Sequence, residues 1–201
     1  MPNLYIIAGH NGAGKSTFGR KLLPSSAQNL PIFDGDIIFS QKLKLVKESI
    51  NVHKYAIQQA EEETVITFKQ LSSEAITLQN DFAYEGHFSN ANSWDTIVHF
   101  KENGYTINMI FLGLVTLKLS EKRVKDRVQG NGFLVPSYAI YHNYFGNLRF
   151  LNQKFHLIDN LHIWDTSSGI PQILLVTSNH QKLYISDSLP KWFSDFLPAL
   201  I

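Results

Sequence analysis

The chain has 201 residues, of which 44% are hydrophobic, 17% charged and 12% aromatic. That length suits one domain with a real core, and Lys+Arg 18 against Asp+Glu 17, a formal +1, lacks the clustered basic excess of a nucleic-acid binder. With no cysteine there is no disulfide scaffold, thiol redox centre, zinc–thiolate site or cysteine nucleophile. The apolar runs are shorter than the roughly 20 residues that span a bilayer. Met1-Pro2-Asn3-Leu4 has neither the charged start nor the apolar core of a signal peptide. The expectation is a cytoplasmic protein, one domain over residues 1–201, with no membrane and no nucleic-acid partner.

The chain opens on Leu4-Tyr5-Ile6-Ile7-Ala8, a short apolar run closed by a glycine, which predicts a buried strand. A helix follows from Ser16 to Leu23, stopped by Pro24, and a second strand from Leu30 to Phe33 leads into Asp34-Gly35-Asp36. Ile37 to Asn80 reads as largely helical, with Glu61-Glu62-Glu63 on a solvated face. Phe82-Ala83-Tyr84 is a third strand ending at Glu85. Trp94 to Glu102 is a helix stopped at Gly104, and Thr106 to Leu112 is a fourth strand. Leu117 to Val128 and Ser137 to Leu151 read as helices, the second with Pro136 placed before its start. Leu161 to Trp164 is a fifth strand; Gln172 to Thr177 and Lys182 to Ile185 form a hairpin, and a helix from Lys191 to Leu197 closes the chain. Strands alternating with helices predict a three-layered α/β fold. Its sheet would be mostly parallel, about five strands, with a C-terminal edge hairpin. The core would occupy residues 1–170, and the hairpin and closing helix 171–201.

The segment Gly9-His10-Asn11-Gly12-Ala13-Gly14-Lys15-Ser16-Thr17 satisfies G-x-x-x-x-G-K-[ST] between a predicted strand and a predicted helix. Glycines let successive N–H groups turn inward around phosphate oxygens, and the helix start aims its positive dipole end at the same anion. Lys15 is placed to reach the β- and γ-phosphates of ATP, and the Ser16 hydroxyl to ligate Mg²⁺. Gly9, Asn11, Gly12, Ala13, Gly14, Lys15, Ser16 and Thr17 are therefore the nucleotide-binding candidates. No Leu-Ser-Gly-Gly-Gln, no Asn-Lys-x-Asp and no apolar strand ending in Asp-Glu occurs. Transporter ATPases, GTPases and motor ATPases fall away, and the small-molecule kinases remain.

A kinase needs an acceptor-activating carboxylate and cations for the transferred group. Asp34 and Asp36 follow the second strand, at the sheet edge where ligands gather; Asp36 is the base candidate, against an ordinary Asp-Gly turn. Glu85 ends the third strand at the same edge, and either orients an acceptor or the metal, or caps a turn near Ser89. Arg123 and Arg127 lie four apart on one helical face, as lid arginines or as part of a solvated stripe with Glu121, Lys122, Lys125 and Asp126. Among eight histidines, His10 and His87 are placed to reach the loop. Tyr138, Tyr141, Tyr144 and Phe145 form an aromatic cluster, either packing or a platform for a base.

These residues resemble the zeta-toxin-like P-loop kinases. The resemblance runs through Pro2 to Phe18, Phe33-Asp34-Gly35-Asp36, Phe82-Ala83-Tyr84-Glu85, Tyr105 to Leu112, Arg123-Val124-x-x-Arg127-Val128 with Val135-Pro136, and Asp165-Thr166-Ser167. It implies that Lys15 and Ser16 bind ATP–Mg²⁺, that Asp36 is the catalytic base, and that Glu85 lies in the acceptor pocket; His87, two residues on, is the other substrate-binding candidate. Arg123 and Arg127 would stand near the transferred phosphate. The family's acceptor is a sugar hydroxyl of UDP-N-acetylglucosamine, and some members are toxins held by an antitoxin. The chain departs from the family pattern at Asn131-Gly132-Phe133-Leu134, where Gly-Gly-His is usual, and at Gln129, usually arginine. Tyr141-His142-Asn143-Tyr144 stands where several arginines are usual, the next arginine being Arg149. The readings are an ATP-dependent kinase, a nucleotide-binding regulatory module with little transfer, or a nucleoside or nucleotide kinase.

Overall fold

The first apolar run does become a strand, β1 (Asn3–Gly9), and its place is the middle of the sheet. A computed structural model describes residues 1–129 and 135–201. After β1 come α1 (Lys15–Leu22), β2 (Ile32–Asp34), α2 (Gly35–Val46), α3 (His53–Leu78), β3 (Phe82–Gly86), α4 (Ala91–Glu102) and β4 (Thr106–Gly113). The remaining elements are α5 (Leu117–Gln129), α6 (Ser137–Lys154), β5 (Asn160–Asp165), β6 (Gln172–Ser178), β7 (Gln181–Ile185) and α7 (Lys191–Phe196). The strand order is β2-β3-β1-β4-β5-β6-β7. The first five strands in that order pair parallel; β5–β6 and β6–β7 pair antiparallel, so the expected edge hairpin is present.

The long helical stretch is two helices. Ser49-Ile50-Asn51-Val52, four poor helix formers in succession, separate α2 from α3. Asp34 caps α2, its Oδ1 accepting from the N–H groups of Asp36 at 2.9 Å and Ile37 at 3.2 Å. Asn90 caps α4 in the same way through Ser93 N–H at 3.0 Å. Both caps fix where a helix leaves the carboxyl end of a strand, the edge on which β1, β2 and β3 deliver their last residues.

Strand alternation sorts the sheet residues onto two faces. Ile7 of β1 packs on α1. The other face carries Phe82 and Tyr84, which meet Phe68 of α3 at 6.0 and 5.3 Å, and Phe82 stacks on Phe100 of α4 at 5.6 Å. Leu4, Ile6, Trp94, Ile97, Phe100 and Ile107 are all fully buried. Trp94 donates its indole N–H to the carbonyl of Phe88 at 3.1 Å, and so ties α4 to the segment after β3. No helix among the described residues is long and apolar enough to cross a membrane.

Trp94→Ala should lower stability by about 3–5 kcal/mol, the range for a large core aromatic, measured by urea unfolding. Trp94→Phe should lose less, because it keeps most of the volume and gives up mainly the indole bond to Phe88.

Candidate active site

The loop between β1 and α1 is shaped by backbone geometry before any ligand is considered. Gly9 has φ +140°, and a Cβ there would stand 2.2 Å from the carbonyl oxygen of Leu112, so only glycine fits. Gly14 is left-handed (φ 82°, ψ 28°) and caps α1, whose first intrahelical bonds run from Thr17 and Phe18 N–H to its carbonyl, ahead of the Lys15 and Ser16 N–H groups.

A loop that turns its N–H groups inward points its carbonyls outward, and the structure supplies a donor to each. Lys15 Nζ, buried beneath the loop, donates to the Gly9 and His10 carbonyls, both at 3.3 Å. Ser120 Oγ donates to Asn11 O at 2.6 Å, Arg123 Nη1 to Gly12 O at 3.3 Å, and Thr166 Oγ1 to Ala13 O at 2.9 Å. Arg123 also donates through Nη2 to Thr166 O at 2.9 Å and Ser167 O at 3.0 Å. Its guanidinium thus binds the end of β5 to the phosphate loop.

A cleft of about 240 Å³ opens beside the loop. Asn11, Gly12, Lys15 and Ser16 form one side of its lining; Asp34, Asp36, Glu85, His87, Ile37 and Arg127 complete it. The sequence candidates Lys15, Ser16, Asp36, Glu85, His87 and Arg127 are therefore brought together. Asp36 stands exposed at the start of α2. Gly9, Ala13, Gly14 and Thr17 shape the loop without lining the cleft, and Arg123 lies outside the lining too. Gln129's side chain and Asn131-Gly132-Phe133-Leu134 lie outside the described residues.

Ser16 Oγ donates to both Glu85 oxygens, at 3.3 and 3.4 Å. Burial pushes the Glu85 carboxyl up to about 7; Lys15 opposes this, Asp34 reinforces it, the Ser16 bond opposes it and Asp36 adds a further push upward. Burial also lowers the Lys15 ammonium, against the pull of Glu85 and Asp36. His87 is held neutral, well below the ordinary imidazole range, by burial and by Lys15.

His10 turns away from the cleft. It is fully buried, stacks on Tyr144 at 4.1 Å, accepts from Leu114 N–H through Nδ1 at 3.1 Å, and is held down to about 3 by burial. The aromatic cluster divides: Tyr144 is core, donating to Leu114 O at 2.8 Å, while Tyr138 and Tyr141 are exposed. Ser120 had no sequence signal, since a helical serine facing a loop looks like any other. Thr166 stood in the quoted Asp165-Thr166-Ser167 stretch but had no role attached.

The family model described as Zeta toxin matches residues 1–168. No curated protein sequence matches the chain. Among solved structures, one from the PezAT chromosomal toxin–antitoxin system of Streptococcus pneumoniae is 18% identical with TM-score 0.63, over 100% of this chain and 78% of that one. A chain of the AvrRxo1-ORF1:AvrRxo1-ORF2 complex with sulphate ions is 14% identical with TM-score 0.73, over 100% of this chain and 65% of that one. The same pair with ATP gives 13% identity and TM-score 0.72, over 100% and 65%. The chain thus spans less than two thirds of the AvrRxo1 relative. At these identities the likeness is one of fold, and the fold is that of the P-loop kinases.

Two outcomes follow from the geometry. Arg123→Ala should destabilise the protein by about 1–3 kcal/mol, because three carbonyls lose a charged donor, with Arg123→Lys recovering only part in thermal unfolding. Glu85 binds its proton more tightly folded than unfolded, so its contribution to stability is full below the ordinary value of 4.5 and falls as pH rises toward about 7. The stability difference between wild type and Glu85→Gln, measured by urea unfolding across pH 4–8, should grow through that window in favour of the variant, by on the order of 1 kcal/mol.

Proposed function

The chain belongs to the Zeta toxin family, and on that footing we propose that it is an ATP-dependent kinase acting on a hydroxyl of a small-molecule acceptor. The acceptor we assign is a UDP-sugar, UDP-N-acetylglucosamine in the family resemblance. The observation that carries this reading is the facing arrangement in one cleft of Lys15 and Ser16 on the phosphate loop with Asp36 at the start of α2 and Glu85 near the end of β3.

The nucleotide phosphates would rest on the loop N–H groups and the start of α1, with Lys15 turning from the loop carbonyls to the β- and γ-oxygens. Ser16, Asp34, Asp36 and Glu85 offer oxygen ligands in the cleft, which suits a hard cation such as Mg²⁺. Ser16 would hold it, since a hydroxyl that donates to Glu85 still has a lone pair to offer. Bound there, Mg²⁺ would neutralise charge on the phosphates. Asp36 would take the acceptor hydroxyl's proton as that oxygen bonds to the γ-phosphorus and the bond to the β-phosphate oxygen breaks, releasing ADP. Glu85 and His87 would form the acceptor wall, and Arg127 would stand by the transferred group.

We read the whole chain as one cytoplasmic domain, with an antitoxin protein as partner. The PezAT toxin–antitoxin system and the AvrRxo1-ORF1:ORF2 complexes among its structural relatives support that partner. One observation favours a second reading, a nucleotide-binding module with little transfer. Arg123 is engaged by three backbone carbonyls, which leaves Arg127 as the arginine that lines the cleft among the described residues. One arginine finger is worth about 10³–10⁵ in rate.

With labelled ATP and UDP-N-acetylglucosamine, the wild type should form a phosphorylated sugar nucleotide. Asp36→Asn should bind ATP with unchanged affinity by calorimetry and transfer about 10²–10⁴ times more slowly, whereas Lys15→Ala should weaken ATP binding itself. ATP binding without product from any UDP-sugar would favour the regulatory module.

A further inference from the structure

A chain of side-chain hydrogen bonds leads from the cleft residues Asn11 and His87 to Asn143 of α6, which lies outside the cleft lining. Ser89 Oγ donates to Asn143 Oδ1 at 2.9 Å, and Asn143 Nδ2 donates to Asn11 Oδ1 at 3.0 Å. Asn11 Nδ2 in turn lies 3.3 Å from His87 Nε2. For that last contact to be a hydrogen bond, Nε2 must be the bare nitrogen and the proton must sit on Nδ1. The bonds then run one way, from Ser89 to His87, through a residue of α6 and a residue of the phosphate loop. Both ends belong to the segment after β3.

The same segment is held a second time. Phe88 N–H donates to Asn147 Oδ1 at 2.7 Å, and Asn147 Nδ2 donates to the Asn143 carbonyl at 2.6 Å. At Gly146 the helix backbone comes so near that a Cβ would meet Ser89 O at 2.4 Å. Asn147 is fully buried, and Asn11 nearly so. One-directional hydrogen-bond chains in a low-dielectric interior strengthen one another.

We propose that Asn143 is a positioning residue that couples the phosphate loop to the acceptor wall: its carboxamide orients Asn11, and through Asn11 and Ser89 it fixes the loop of residues 87–89. This rests on the kinase reading. A nucleotide that orders the phosphate loop then orders the acceptor side in the same step, although no residue of α6 is among those lining the cleft. The rotamer of Asn11 is the link. Turned over, it would present an oxygen to His87 and require the proton on Nε2.

The test uses the full chain with Asn143→Ala and Asn143→Asp, each first checked for cooperative unfolding. In the wild type, the non-hydrolysable ATP analogue AMP-PNP with Mg²⁺ should slow amide exchange at Phe88 by a factor within the usual coupling range of about 5–150-fold. In Asn143→Ala, AMP-PNP should bind within about threefold of wild-type affinity, but the protection at Phe88 should not follow. Asn143→Asp offers an acceptor where Asn11 met a donor. It should flip Asn11 and move the His87 proton from Nδ1 to Nε2, read from imidazole ¹⁵N shifts without any nucleotide. Retained coupling in Asn143→Ala, or an unchanged His87 tautomer in Asn143→Asp, would overturn the proposal. Failure of the wild type to bind AMP-PNP at all would sink the nucleotide reading and this one together. Binding without transferred protection would sink the coupling alone.

Discussion

A phosphate loop is a backbone turned inside out, and the rest of this structure follows from that. N–H groups that converge on one point leave their carbonyls diverging into the protein, where an unpaired acceptor costs on the order of 1–3 kcal/mol. Here the carbonyls of Gly9 through Ala13 are all met by side-chain donors, from Lys15, Ser120, Arg123 and Thr166. Two of those donors sit on α5 and one beyond β5, elements more than a hundred residues away in sequence. The order β3-β1-β4-β5 is what brings them to the loop, because β1 must have β4 and β5 on one side for α5 and Thr166 to arrive together.

That requirement also sets the electrostatics. Arg123 looks from sequence like a cation for the transferred phosphate, yet its guanidinium faces three carbonyls of the scaffold. The charge left facing the cleft is Lys15 with Arg127, against Asp34, Asp36 and Glu85. Lys15 is desolvated, and Glu85 holds its proton up to about 7, so burial disfavours the charged form of both, loosening a proton on one group and tightening it on the other. A polyanion with a divalent cation would reverse both tendencies, giving Lys15 a partner and Glu85 a reason to ionise.

Most strands and helices were legible because β1 to β5 are short apolar runs closed by a glycine or a carboxylate, and α1, α4 and α6 have a proline or glycine beside a start or stop. The loop was legible because few sequences other than a phosphate cradle need glycines at those spacings before a lysine. The break between α2 and α3 was missed because Ser49-Ile50-Asn51-Val52 carries no glycine or proline, only weak propensity. Ser120, Asn143 and Asn147 were not legible as parts of a site. Their meaning lies in which carbonyl or amide they face across the fold, and a single serine or asparagine on a helix has no pattern that reports this. His10 shows the converse: it opens the loop after β1, but its ring belongs to the core against Tyr144.

The segment after Pro136 carries Asn143 where arginines would be expected, and the physical difference between the two is instructive. An arginine there would add a cation beside Asn11 of the phosphate loop, unbalanced until an anion arrived. An asparagine orients its neighbours through a donor and an acceptor and adds no charge. The amide network can therefore be complete in the unliganded protein, where a cluster of cations would be self-repelling until phosphate arrived. In a chain of formal charge +1, with one arginine engaged by the scaffold, positioning is supplied by neutral groups and charge is kept to the few atoms that meet the phosphates. Such a site gains a preformed geometry at the expense of cations beside the cleft.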